Sequence, residues 1–189
     1  MTLAQVYDQV IRCQRCELHK TKRNYVFGKG SEKAKIMFIG EAPGANEDLT
    51  GEPFVGKAGQ IFEELLKSIS LKREDVYVAN ILKCRPPENR SPLPREIDEC
   101  TRFLVAQINT IKPTVICPMG NFAVMFILKH YGLSDKIEGI SKIHGKPIEL
   151  DSLFGTLSII PLYHPAVSTY NPYTKTTLLA DFKQLEKYK

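Results

Sequence analysis

Cys13-Gln14-Arg15-Cys16 places two thiols three positions apart, and Cys84 and Cys100 supply two more. A C-x-x-C pair with two further cysteines is a ligand set for one metal centre, either an iron–sulfur cubane or a structural zinc. The spacing alone does not separate these. The competing reading is a redox C-x-x-C with two unrelated buried thiols. Redox pairs of that kind open a βα unit, however, and this pair precedes the first strand-like run. Cys100 lies three after Ile97 and four before Leu104, on the inward face of a helix. Cys117, inside an apolar run, reads as a small core residue. A second set has no metal-type spacing: Glu41, Asn80 and His164 each follow closely on an apolar run. A carboxylate, an amide and an imidazole can do acid–base and hydrogen-bonding chemistry if the fold brings them together.

The elements that would do so are four short β-rich runs, Lys35–Ile39, Val76–Asn80, Thr114–Pro118 and Thr156–Leu162. Their continuous apolar cores, such as Ile36-Met37-Phe38-Ile39, are those of strands buried on both faces. Helical periodicity lies between and after them. Ile61, Phe62, Leu65, Leu66 and Ile69 share one face, as do Ile97, Leu104, Ile108 and Ile111; further helices are expected over 121–131 and 174–189. Strands alternating with helices predict an α/β fold, a three-layer αβα sandwich with a central four-stranded parallel sheet. Residues 1–189 then form one domain. Open sheets of this kind bind ligands beyond the carboxyl ends of their strands. The residues there are Gly40-Glu41-Ala42-Pro43-Gly44, Asn80 and His164-Pro165. Three separate segments thus bring Glu41, Asn80 and His164 to one edge. His19, His130 and His144 lack that placement and read as structural.

Several motifs fail on inspection. Gly51-Glu52-Pro53-Phe54-Val55-Gly56-Lys57-Ala58 is one residue from a phosphate-binding P-loop, with Ala58 where a magnesium-holding hydroxyl is needed. That argues against nucleotide hydrolysis, although backbone N–H groups and Lys57 at a helix start could meet a DNA phosphate. Gly28-Lys29-Gly30 carries no dinucleotide signal. No Gly-x-Ser-x-Gly elbow supports serine hydrolase chemistry.

Bulk properties narrow the classes further. The chain has 189 residues with no uninterrupted apolar run of membrane-spanning length. Met1–Asp8 lacks a secretory leader pattern, and five cysteines without one set an intracellular, cytoplasmic expectation. The net charge of +5 lies entirely in residues 1–35, where eight basic side chains face Asp8, Glu17 and Glu32. Such a segment is either a solubilising face or a patch for a polyanion.

At the level of motifs the chain resembles the family 4 uracil-DNA glycosylases. Gly40-Glu41-Ala42-Pro43-Gly44, then Glu47-Asp48 and Gly51-x-Pro53-Phe54-Val55-Gly56-x-Ala58-Gly59, looks like their first motif, and His164-Pro165-Ala166 looks like their last. The likeness runs from about Cys13 to the C-terminal helix. It implies a monofunctional enzyme that hydrolyses the N-glycosidic bond of deoxyuridine in DNA, releases uracil and leaves an abasic site for base excision repair. It also implies one [4Fe–4S] cluster per chain on Cys13, Cys16, Cys84 and Cys100. Uracil binding would fall to Glu41, Ala42, Phe54, Asn80 and His164. His164 would donate to O2 as charge develops, Asn80 would read O4 and N3–H, and Phe54 would stack on the flipped base. Catalytic support would come from Glu41, Glu47 and His164. Glu41 would face the cationic sugar or orient water, and Glu47 would wall the pocket near uracil C5, with these two roles exchangeable.

The chain departs from the best-studied branch of the superfamily at Ala42, where a water-orienting Asp stands, and at Gly44, where a Tyr does. Tyr170 occupies a position where Arg is frequent among relatives, so the resemblance implies no strong Arg wedge and leaves the intercalating residue open, an aromatic one included. Lys57, Arg85, Val167, Ser168 and Tyr170 are the expected DNA contacts. The implied partner is uracil-containing DNA, single- or double-stranded, bound by a monomer with no membrane. A non-catalytic iron–sulfur or zinc nucleic-acid-binding protein and an electron-transfer protein are the alternatives. A cluster with four thiolates carries about −2 and would bring the folded charge to about +3, so part of the basic segment would neutralise the cofactor.

Overall fold

The computed structural model describes residues 1–152, 155–171 and 173–189. Nine α-helices are assigned among them: α1 Leu3–Ile11, α2 Leu18–Thr21, α3 Ala45–Thr50, α4 Lys57–Ser68, α5 Pro94–Ile111, α6 Asn121–His130, α7 Ile140–Ile143, α8 Val167–Tyr170 and α9 Tyr173–Lys183. The strands are β1 Lys29–Gly30, β2 Ile36–Gly40, β3 Tyr77–Asn80, β4 Val115–Pro118, β5 Ile148–Ser152 and β6 Gly155–Ile159. They form one sheet in the order β1-β3-β2-β4-β6-β5.

The α/β class and the parallel centre are as expected: β3, β2, β4 and β6 run parallel. The count of four strands is corrected to six, because β1 and β5 add antiparallel edges to β3 and β6. Neither edge carries the continuous apolar signature. β1 is only two residues, Lys-Gly, and β5 alternates half-buried Ile148 and Leu150 with exposed Glu149 and Asp151, as a strand with one wet face does. β6 stops at Ile159, short of Leu162. Its parallel contacts continue through Ile160 N–H to Ile116 O and Leu162 N–H to Pro118 O (2.9 Å each), with Pro161 lacking a donor between them.

Alternating residues send two apolar layers to opposite faces. Met37, Ile39, Ala79 and Ile116 pack with residues of α1, α5 and α6, while Ile36, Phe38, Val78 and Cys117 pack with residues of α4 and α9. Phe38 meets Phe62 edge-on at 4.9 Å and stacks on Phe182 at 5.5 Å. Cys117 is fully buried, as its sequence setting predicts. Outside this core, His144 bonds the buried Asp181 through Nδ1 at 2.8 Å, a structural tie to α9. No helix among the described residues is long and apolar enough to cross a membrane.

Candidate active site

The register Gly40↔Asn80 aligns the ends of β2 and β3, and the chain leaving β6 brings His164 to the same edge. Gly40 makes the convergence possible. A Cβ there would lie 2.3 Å from Asn80 Oδ1 and 2.9 Å from Phe54 Cζ, so any side chain would displace both. The result is a cavity of about 340 Å³ lined by Glu41, Ala42, Pro43, Gly44, Glu47, Phe54, Asn80 and His164, with Ala58, Pro86, Asn89, Arg90 and Ala166 completing it. All the residues expected to bind the base line this one cavity.

Phe54 is held there against its backbone preference. It has φ +54°, a left-handed conformation that costs a non-glycine residue about 1–3 kcal/mol. The surroundings enforce it. Arg73 donates to Pro53 O at 2.8 Å and Phe54 O at 2.7 Å while its Nε pairs with Glu63 at 2.6 Å. Gly59 lets α4 approach the same carbonyl, since a Cβ there would sit 1.9 Å from Phe54 O. The Phe54 ring ends 5.4 Å from the His164 imidazole, tilted by 31°.

His164 Nδ1 accepts the Ala166 N–H at 3.2 Å, which leaves the proton of the neutral ring on Nε2. Burial pushes its pKa down to about 4, opposed by the charge of Glu47, so the ring is neutral near pH 7. Asn80 is 2% exposed, and its side-chain amide bonds no other group among the described residues. Glu41 is half-buried, its carboxylate likewise unpartnered among the described residues, and burial raises its pKa. An amide, an acceptor and a neutral donor are thus left open to whatever enters the cavity.

Glu47 lies in the cavity wall, but both its carboxylate oxygens are committed. They accept Gly44 N–H at 3.1 Å, Val55 N–H at 2.9 Å and Gly56 N–H at 3.0 Å. The side chain therefore fastens the Gly44 and Val55-Gly56 backbones together. Its spacing from Gly44 is the capping signature of a helix third position, which marks it in the sequence. The same bonds revise the reading of the near-P-loop. Glu47 already occupies N–H groups offered to phosphate, and Lys57 remains exposed at the start of α4.

The loop 85–90 supplies cavity residues that motif reading missed. Glu88 and Asn89 both take left-handed conformations, at φ +53° and +56°. Arg85 Nε donates to Asn89 Oδ1 at 2.8 Å, so Arg85 is engaged within the loop. Arg90 makes two bonds, of 2.9 and 2.6 Å, to the buried Glu96 of α5. Beyond His164, Val167 and Ser168 are half-buried, whereas Tyr170 is 90% exposed.

A second, small cavity is lined by all four expected ligands, Cys13, Cys16, Cys84 and Cys100, together with Tyr25, Lys83, Glu99 and Phe103. Cys13 and Cys16 sit on the turn between α1 and α2, where Tyr25 donates its hydroxyl to Cys13 O at 2.8 Å. Cys84 follows β3, and Cys100 faces inward from α5. Burial holds the thiols of Cys16, Cys84 and Cys100 up, that of Cys100 to about 11. Lys83 N–H donates to Cys100 Sγ at 3.2 Å. Among the described residues no three His, Cys, Asp or Glu side chains close around a single-ion position.

A mixed sheet with a parallel centre, and a cavity beyond its strand ends lined by an aromatic ring and polar side chains, is the ligand-site arrangement of open α/β proteins. The sequence model of the Uracil DNA glycosylase superfamily matches residues 27–185, and the chain belongs to that superfamily. It is 46% identical over 184 residues to the type-4 uracil-DNA glycosylase of Archaeoglobus fulgidus, covering 97% of this chain and 92% of that one. Its identity to the type-4 enzyme of Saccharolobus solfataricus is 42%, over 96% of this chain and 84% of the relative. To that of Thermotoga maritima it is 43%, over 85% and 80% respectively.

Proposed function

We propose that this chain hydrolyses the bond between uracil N1 and deoxyribose C1′ in DNA, leaving an abasic site. The observation that carries this reading is the convergence of an open Asn80 amide, the Phe54 ring and a neutral His164 on one base-sized cavity. Phe54 stacks on the flipped uracil. Asn80 donates to O4 and accepts from N3–H, a pattern that cytosine reverses. As the C1′–N1 bond breaks, its electron pair leaves with the base and charge grows on N1 and O2. His164 Nε2–H donates to O2 at that moment, when the bond is worth most. Water adds its oxygen to C1′, and Glu41 faces the cationic sugar and takes up the released proton. Glu47 acts one step back, by holding the backbones that carry Gly44 and Phe54 in place.

Four cysteines around one cavity are a donor set that suits a [4Fe–4S] cluster, to be held by Cys13, Cys16, Cys84 and Cys100. Bound there, it supplies an anionic cross-link between the α1–α2 turn, the end of β3 and α5. DNA contacts are assigned to Lys57 and to the exposed Tyr170, which enters the gap left by the flipped base. Incubation with uracil-containing oligonucleotides, followed by alkali, should give breaks at uracil. DNA binding without breaks would instead favour a non-catalytic binding module. Iron and acid-labile sulfide should be found together, and one zinc with no sulfide would refute the cluster.

A further inference from the structure

Lys83 is the one buried lysine among the described residues, 1% exposed, and it lines the four-cysteine cavity. Its ammonium donates to Asn80 O at 2.9 Å and to Gln107 Oε1 at 2.7 Å. Gln107, itself fully buried on α5, passes the tie on through Nε2 to Phe27 O at 2.9 Å and the Tyr77 hydroxyl at 3.1 Å. On its other side Lys83 lines the four-cysteine cavity, and its backbone N–H bonds Cys100 Sγ. A buried ammonium is costly unless it is well bonded and faced by negative charge. A neutral, apolar residue would fill this space without that cost, and nothing in the excision chemistry touches the ammonium. Its bonds run instead to the main chain of the residue that reads the base.

We propose that Lys83 is a positioning residue that holds the Asn80 backbone, and with it the base-reading amide, to the wall of the four-cysteine cavity. The tie makes the occupancy of that cavity and the recognition of uracil interdependent. This inference rests on the uracil-excising function proposed above.

The test compares iron-loaded wild type with K83M, which keeps length and apolar bulk but removes the ammonium, and with Q107L, which removes its second acceptor at a residue outside the lining of the cysteine cavity. Three quantities are read: iron and sulfide per chain, inhibition by free uracil, and affinity for an abasic-site oligonucleotide. Loss of a charge-assisted bond should weaken uracil inhibition by about tenfold or more in K83M and about threefold in Q107L. Abasic-site affinity should stay within about twofold in both. If K83M does not fold, Q107L decides on the same criterion. Uracil inhibition unchanged in the folded variants would overturn the proposal, as would equal losses for uracil and abasic DNA, which mark general damage. A wild type that releases no uracil would remove the function and this inference together. A wild type that does, beside indifferent variants, would remove only the inference.

Discussion

His164 donates from Nε2 because Ala166 N–H occupies Nδ1 and burial keeps the ring neutral. The folded state disfavours the imidazolium, so this contribution to stability is complete above the ordinary value of 6.5 and is lost as the pH falls toward about 4. Denaturant titrations across that window should show a slope in the wild type that H164A lacks. The same substitution should lower the excision rate by about 10²–10³-fold, since it deletes the donor at the developing anion. In the proposed reaction Glu41 sets the acid limb of activity. Burial raises its pKa, so its charge, and with it the rate, should be lost on acidification at a higher pH than for a free carboxylate. E41Q should be slower and should lose that limb in a pH profile; an unchanged limb would remove the role given to Glu41.

At the level of elements, the loop before α4 and the loop before α5 shape the pocket. The first is held by Arg73, which donates to Phe54 O, and by the close approach of the bare Cα of Gly59 to the same carbonyl. G59A forces a methyl into the Phe54 carbonyl and should cost about 1–3 kcal/mol in equilibrium unfolding, with loss of excision. R73M should release Phe54 from its left-handed conformation and raise KM for DNA more than it lowers stability. Glu41 and Asn80 were legible because they stand at the ends of β2 and β3, and His164 because it closes the segment that leaves the apolar end of β6, five residues beyond Ile159. Phe54 was legible from its dense glycine- and proline-containing motif. Asn89 and Arg90 were not, because their placement depends on two consecutive left-handed residues and on ties to Arg85 and Glu96 that no periodicity encodes. The edge strands escaped for a related reason: a two-residue β1 and an alternating β5 lack the doubly buried pattern of the centre. Glu47 lines the cavity, but its three backbone partners, near and far along the chain, emerge only when α3 and the next loop fold together.

Across the whole molecule, the basic N-terminal segment is less a free patch than its composition implies. Arg15 pairs with Glu99 at 2.6 Å, Lys20 with Glu17 at 2.8 Å and Lys29 with Glu52 at 2.5 Å, while Lys22 lies over the Tyr25 ring. Four of its eight basic side chains are engaged in these contacts, and outside the segment the exposed Lys57 is the phosphate contact proposed above. K57A should reduce the salt slope of DNA binding by about one unit without changing single-turnover excision. Cys84 and Cys100 bracket the loop that carries Asn89 and Arg90, so the proposed cluster site and the pocket wall share one segment of chain. C100S should lose iron and lower the thermal midpoint together. The most direct test of the central claim is uracil release from single-stranded and duplex oligonucleotides by the iron-loaded wild type, with N80A and H164A alongside. Alkali-labile sites at uracil with the wild type, reduced by orders of magnitude in both variants at retained DNA affinity, are the expected result. Wild-type rates in both variants, or no release by the wild type from either substrate, would contradict it.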